Sequence, residues 1–185
     1  MVLPGHLAGG YLSARIVLAL APAAAAFSPT QTAILLTIGT LFGDSPDIDL
    51  IFYYFNQKSI HPDNDEIGHR HNITHTPIFW LCISLAIVAI GWSFGSLFTE
   101  FIGWMVLSGS WTHLLLDSIE VGIRWLWPFS SKVILLRRAT EPDIPGTKGS
   151  IPFYWKLIIS KEYRRSLTFY VEIAITLAGL WVAFH

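Results

Sequence analysis

Two apolar runs standing back to back restrict this chain more than anything else in it. From Ile78 to Phe98 there is no charged residue, and after Thr99-Glu100 a second run extends from Phe101 to Ile123. Roughly 20 such residues cross a bilayer as a helix, the form in which a single segment satisfies all its own backbone N–H and C=O groups. Trp80 and Trp92 stand towards the two ends of the first run, where interfacial aromatics belong. The second run contains Gly103, Ser108, Gly109, Ser110 and Thr112, small or hydroxylated residues suited to close helix packing.

Composition extends the argument to the whole chain. Of 185 residues, 52% are hydrophobic and only 14% charged, against about 25% charged in a soluble domain. The prediction is an all-α, polytopic membrane bundle forming a single domain over residues 1–185. A net charge of -1 gives no argument for a nucleic-acid partner. Cys82 is the lone cysteine, so no internal disulfide forms and any metal must be held by nitrogen and oxygen.

Three further segments complete the expected topology. Leu7 to Phe27 is apolar apart from Arg15 and reads as a first span; a cleaved signal peptide is the rival reading, but its positive residue comes late and cleavage would discard His6. After a turn at Ser28-Pro29-Thr30-Gln31, the chain returns through Thr32 to Phe42. Leu167 to Phe184 makes the last of about five spans. Asn56 to Arg70 reads as an aqueous loop, and a basic, amphipathic stretch broken by a Pro/Gly-rich loop at Thr140 to Ser150 lies before the last span.

Lysine and arginine set the orientation. Lys58 and Arg70 fall in one loop; Arg124, Lys132, Arg137, Arg138, Lys148, Lys156, Lys161, Arg164 and Arg165 fall in another, two spans away. Both loops therefore face one side, the cytoplasm by the positive-inside rule. Arg15 is expected near the cytoplasmic start of the first span, from which it can snorkel.

This topology delivers the ionisable residues to one membrane face: His6 before the first span, Asp44, Asp47 and Asp49 after the second, His69, His71 and His75 before the third, and His113 with Asp117 near the end of the fourth. His113 and Asp117 are four apart, so they share a helix face and can converge on one ion, or one can orient the other. Asp47 and Asp49 would diverge on a regular helix, which makes one a ligand and the other a cap or supporting group, or gives each its own ion. Asp44 or Ser45 can cap a helix that has Pro46 in its first turn. Thr74 and Thr76 can hold imidazole nitrogens by hydrogen bonds. Imidazole and carboxylate without thiolate suit Zn, Mn or Fe alike.

Taken together, His6 with Gly9-Gly10, Pro46-Asp47-Ile48-Asp49, His69-Arg70 with Thr74-His75-Thr76-Pro77, His113-x-x-x-Asp117 and Trp127-Pro128-Phe129 resemble the bacterial inner-membrane family of metal-dependent hydrolases, itself described by similarity to zinc-dependent phospholipase C. The resemblance covers His6 to about Phe129. It implies a helical enzyme whose divalent metal, Zn or else Mn or Fe, as one or two ions, is held by His6, Asp47, Asp49, His69, His75, His113 and Asp117. Gly43-Asp44-Ser45 and the His69-to-His75 spacing depart from the family's pattern and leave Asp44 and His71 open as further ligands.

The implied chemistry is hydrolysis of a phosphoester or ester by a metal-activated water. Asp49 or Asp44 can act as general base, and Arg70 can hold a phosphate through its planar fork or serve as a positive-inside anchor. A site at the cytoplasmic membrane face suits a lipid or lipid-like substrate. Intramembrane acids and histidines also mark ion pathways, so a divalent-metal or proton-coupled transporter is the second reading, and a metal-stabilised protein without turnover the third.

Overall fold

The computed structural model describes residues 3–50, 55, 72–137, 160 and 163–185. His69, Arg70 and His71 lie outside the described residues, as do the expected loop at 56–70, the Pro/Gly-rich loop at 140–150, and Arg138, Lys148, Lys156 and Lys161. Among the described residues the fold is all-helical, with five α-helices: α1 (Leu3–Leu20), α2 (Pro29–Phe42), α3 (Pro77–Ser93), α4 (Leu97–Asp117) and α5 (Leu167–Phe184). An isolated antiparallel bridge, Ile123 to Ile134, provides the extended pairing.

Local chemistry places the helix ends. Helix α1 stops at Leu20, before Pro22, which opens a short 3-10 turn through Ala26; the apolar run to Phe27 is therefore broken rather than a continuous span. Ser28 begins α2 with a capping box, its hydroxyl accepting from the Gln31 N–H while the Gln31 side chain accepts from the Ser28 N–H, and Pro29 stands at the first helical position. The connection between α3 and α4 is Phe94-Gly95-Ser96, not Thr99-Glu100. Gly95 takes φ +63°, a conformation that favours glycine, and Ser96 caps α4 through the Thr99 N–H.

Helix α4 is the hub, packing against α1, α2 and α3, while α5 packs on α1. One core cluster joins Ala14, Leu35, Phe101 and Met105; a second joins Trp80, Val106, Leu114 and Ile123. The helices approach closely because glycine lines their crossings. A methyl group on Gly109 would lie 2.5 Å from the Gly39 carbonyl oxygen, one on Gly10 at 2.5 Å from the same atom, and one on Gly103 at 2.8 Å from the Ser84 carbonyl oxygen. At the last crossing the Ser84 hydroxyl donates to the Gly103 carbonyl.

By length and composition Leu167–Phe184 is, among the described residues, the helix able to cross a membrane, and Pro77–Ser93 is apolar but has 17 residues. The expected count of five spans is thus not reached on that criterion. The reason is visible in α2, whose 14 residues rise only about 21 Å, and in α1 and α4, which carry the polar groups of the site. Arg15 lies exposed towards the far end of α1, nine residues beyond His6 in sequence, and not at its start.

Candidate metal centre

Alternation of helix direction brings five separate pieces of sequence to one end of the bundle: the first turns of α1, the 3-10 turn Ser45–Ile48 after α2, the 3-10 turn Ile73–His75 before α3, the last turns of α4, and the start of α5. His6, His75, His113 and Asp117 are completely or almost completely buried there, and Asp49 is buried beside them.

His113 is set by a backbone contact. Its Nδ1 lies 3.0 Å from the Gly43 carbonyl oxygen, and because a carbonyl only accepts, Nδ1 carries the hydrogen and Nε2 is left to face the cluster. Gly43 can come this close because it lacks a side chain: a methyl group there would lie 2.4 Å from the His6 carbonyl oxygen. His113 Nε2 is 3.5 Å from Asp47 Oδ1 and 3.9 Å from Asp117 Oδ2. His6 Nε2 is 3.4 Å from Asp117 Oδ1, and its Nδ1 is 3.8 Å from both Asp44 Oδ1 and Asp47 Oδ2. The His6 and His113 ring centroids are 3.8 Å apart.

His75 bridges two carboxylates. Its Nδ1 donates to Asp49 Oδ2 at 3.2 Å, and its Nε2 lies 3.1 Å from Asp47 Oδ1. The Thr74 hydroxyl donates to the same Asp49 oxygen, and the Trp80 indole N–H donates to the Thr74 carbonyl at 2.6 Å, so the turn that carries His75 is anchored to α3. Thr74 thus holds a carboxylate rather than an imidazole, and Thr76 donates to the Ile73 carbonyl.

Two sets of donor atoms converge, each set lying within 4.8 Å: His6, Asp44, Asp47 and His113 in one, His75, His113 and Asp117 in the other. Asp49 belongs to neither set and stands behind His75. Asp44 makes no side-chain cap hydrogen bond at the turn it precedes, which corrects the reading of it as a plain cap: the turn is a single 3-10 turn, and the carboxylate faces His6 instead. His69, Arg70 and His71 lie outside the described residues. Sequence reasoning missed the Gly43 carbonyl, for which no sequence signal exists, and the Thr74 contact to Asp49, of which the hydroxyl beside His75 was the only hint.

The donor set passes the test for a cation. His6 Nδ1 and Nε2 and His113 Nε2 are buried and have no hydrogen-bond partner among the described residues, although such groups are costly to leave unpaired. Their separations of 3.4 to 3.9 Å from carboxylate oxygens exceed a hydrogen bond. They match the spacing of about 3.4 Å between donors arranged tetrahedrally around a small ion at about 2.1 Å.

No curated protein and no solved structure gives a significant match to the chain. A family model described as YdjM inner membrane protein matches residues 1–184, and the chain belongs to that inner-membrane family.

Proposed function

We propose that this chain is a multi-pass inner-membrane hydrolase that holds a divalent metal, most simply zinc, at the cytoplasmic end of its bundle and cleaves a phosphoester or ester in a lipid-like substrate. The observation that carries the reading is the group of buried imidazole nitrogens of His6 and His113, unpartnered among the described residues and spaced from Asp44, Asp47 and Asp117 as ligands are spaced from one another.

The apolar outer surface supports the multi-pass part. Each helix exposes large apolar side chains, including Leu20 of α1, Leu41 of α2, Ile90 of α3, Leu115 of α4 and Leu177 of α5, while His6, His75, His113, Asp49, Asp117, Glu120 and Glu172 are buried. That is the polarity of a protein solvated by lipid. Arg124, Lys132 and Arg137 follow α4 at the site end, which makes that end cytoplasmic by the positive-inside rule.

His6, Asp47, His75, His113 and Asp117 are the residues that would hold metal, with Asp44 added. An imidazole nitrogen binds one ion, so His113 serves one of the two donor sets. Asp47 offers Oδ1 towards His75 and His113 and Oδ2 towards His6, so it would be one of the residues holding a metal in the first donor set. When bound, a divalent metal supplies an activated water near neutral pH and neutralises charge on a phosphoryl or carbonyl oxygen. Asp49 and Thr74 fix the tautomer and orientation of His75, and Gly43 does the same for His113. Asp44, partly exposed and 3.8 Å from His6 Nδ1, is the residue proposed to accept a proton from water. Arg70 remains the residue proposed to grip a phosphate.

The test is metal analysis of the purified protein followed by incubation of metal-loaded protein with phospholipids and simple phosphoesters and esters. Metal-dependent product release is the expected result. Absence of bound transition metal overturns the site, and metal movement across proteoliposomes without hydrolysis favours a transporter.

A further inference from the structure

The segment after α4 builds a second feature, on a different side of that helix. Residues 118–137 fold back on the end of α4 through main-chain bonds: the Leu136 N–H donates to the Ser118 carbonyl at 2.8 Å, the Arg137 N–H to the Ile119 carbonyl at 2.9 Å, and Ile123 and Ile134 exchange both their bonds. Gly122, at φ +99°, makes the turn and lies against Val133. Between this segment and the helix is a groove of about 420 Å³ lined by Leu115, Ser118, Trp125, Ile134, Leu135 and Leu136, a size within the range of ligand clefts.

The side-chain polar groups of the lining are already engaged. The Trp125 indole N–H donates to the Ser118 hydroxyl at 2.7 Å, that hydroxyl donates to the Leu114 carbonyl, and the Leu136 and Ile134 N–H groups are in the bonds above. What remains to meet a ligand is mostly hydrocarbon. Leu115, Ile134 and Leu136 are exposed, so the groove opens outwards, and Phe129 beyond it is 93% exposed. Lys132 and Arg137, both exposed, lie two residues before Ile134 and next to Leu136 in sequence, and Arg124, half-buried, precedes Trp125; Glu120, the acid of the segment, is buried at the start of α5.

An apolar groove with exposed cations close to its lining residues in sequence, in an inner-membrane protein, has the polarity of one anionic phospholipid: acyl chain in the groove, phosphate against lysine and arginine. We infer that this groove binds a single anionic phospholipid from the surrounding leaflet. Leu115 projects about 160° around α4 from His113 and Asp117, so the bound lipid braces the outer side of the helix that carries the metal residues and is distinct from a substrate. The inference rests on the membrane reading and not on hydrolysis.

Native mass spectrometry of the full chain, purified in detergent with added phosphatidylglycerol or phosphatidylcholine, tests it. The wild type should retain one phosphatidylglycerol in preference to phosphatidylcholine. Lys132→Ala with Arg137→Ala should cut that preference roughly 30-fold, the combined effect of two cations at an anionic surface. Leu115→Trp, at a position 56% exposed, should fill the groove and abolish retention while helical content and monodispersity stay unchanged. Ile134→Trp provides a second filling variant should the first misfold. Equal retention in the filled variants, no preference for the anionic lipid, or a dimer mass in place of a lipid adduct each overturns the proposal. Metal content, measured alongside, reports separately on the hydrolase reading.

Discussion

The Nδ1 of His113 lies 3.0 Å from the carbonyl oxygen of Gly43, seventy positions away in sequence, so the direction of a buried imidazole on α4 is dictated by the main chain at the end of α2. The consequence can be measured at Gly43. A methyl group there would meet the His6 carbonyl oxygen at 2.4 Å and the Gly10 Cα at 2.9 Å, atoms of a backbone that cannot step aside. Gly43→Ala should destabilise the protein by about 1–3 kcal/mol and weaken metal binding about 10- to 100-fold. Thermal unfolding with and without metal separates the two effects; unchanged metal affinity would show that the carbonyl does not orient the ring.

His6 offers a test with opposite signs in two states. Both its ring nitrogens are buried without a hydrogen-bond partner among the described residues, so without metal the imidazole is a burden on the fold. His6→Leu should leave the metal-free protein within about 1 kcal/mol of wild type, or more stable. It should also remove most of the stabilisation that added zinc gives, by mass action. A strongly destabilised metal-free variant would mean that His6 is a structural residue.

Asp49 separates a ligand from a residue that acts through its neighbour. Because its Oδ2 accepts from His75 Nδ1 and from Thr74, Asp49→Asn should lower metal affinity about 10- to 100-fold while the number of ions per chain stays the same. Asp117→Asn should reduce that number. Stoichiometry by elemental analysis decides; a lost ion in Asp49→Asn would place Asp49 among the ligands, as the family resemblance implies.

Acidity should act through competition for the imidazoles. A ring nitrogen must be unprotonated to hold metal, so metal-dependent stabilisation should be full at neutral pH and disappear as the pH falls through the histidine range. The same titration in a zinc-free, chelated sample should lack this transition. Equal pH dependence with and without metal would argue against histidine ligation.

Glu120 provides a stability test remote from metal. Its two carboxylate oxygens accept from the Leu167 and Thr168 N–H groups at 3.1 and 3.2 Å, closing the start of α5. A carboxylate there satisfies unpaired donors and meets the positive end of the helix. Glu120→Ala should cost about 1–2 kcal/mol and raise amide exchange in the first turn of α5, with no effect on metal content. Unchanged exchange would refute the capping role.

The sequence was most legible where a local rule decides the outcome. Leu167 to Phe184 is read to the residue, because the run is apolar apart from Glu172 and contains no proline; Ser166 caps it in the structure. The shared face of His113 and Asp117 follows from helical spacing alone. Elsewhere, local signals were outweighed or overlooked: Pro22 cut α1 short, and Ser96 with Gly95 moved the start of α4 back from Phe101 to Leu97. Asp44 was illegible because its partner, His6, comes from another helix, and no pattern around residue 44 records where α1 will pass.

That dependence on distant partners has a consequence for biosynthesis. A chain made from its N-terminus presents His6 first, then Asp44 and Asp47, then His75, and the two donor sets are complete only once His113 and Asp117 have followed. Before α4 is made, the contacts available are those of His6 with Asp44 and Asp47 and of His75 with Asp47 and Asp49; neither donor set is complete without His113. The helix at the centre of the bundle therefore supplies the residue, His113, that both donor sets share.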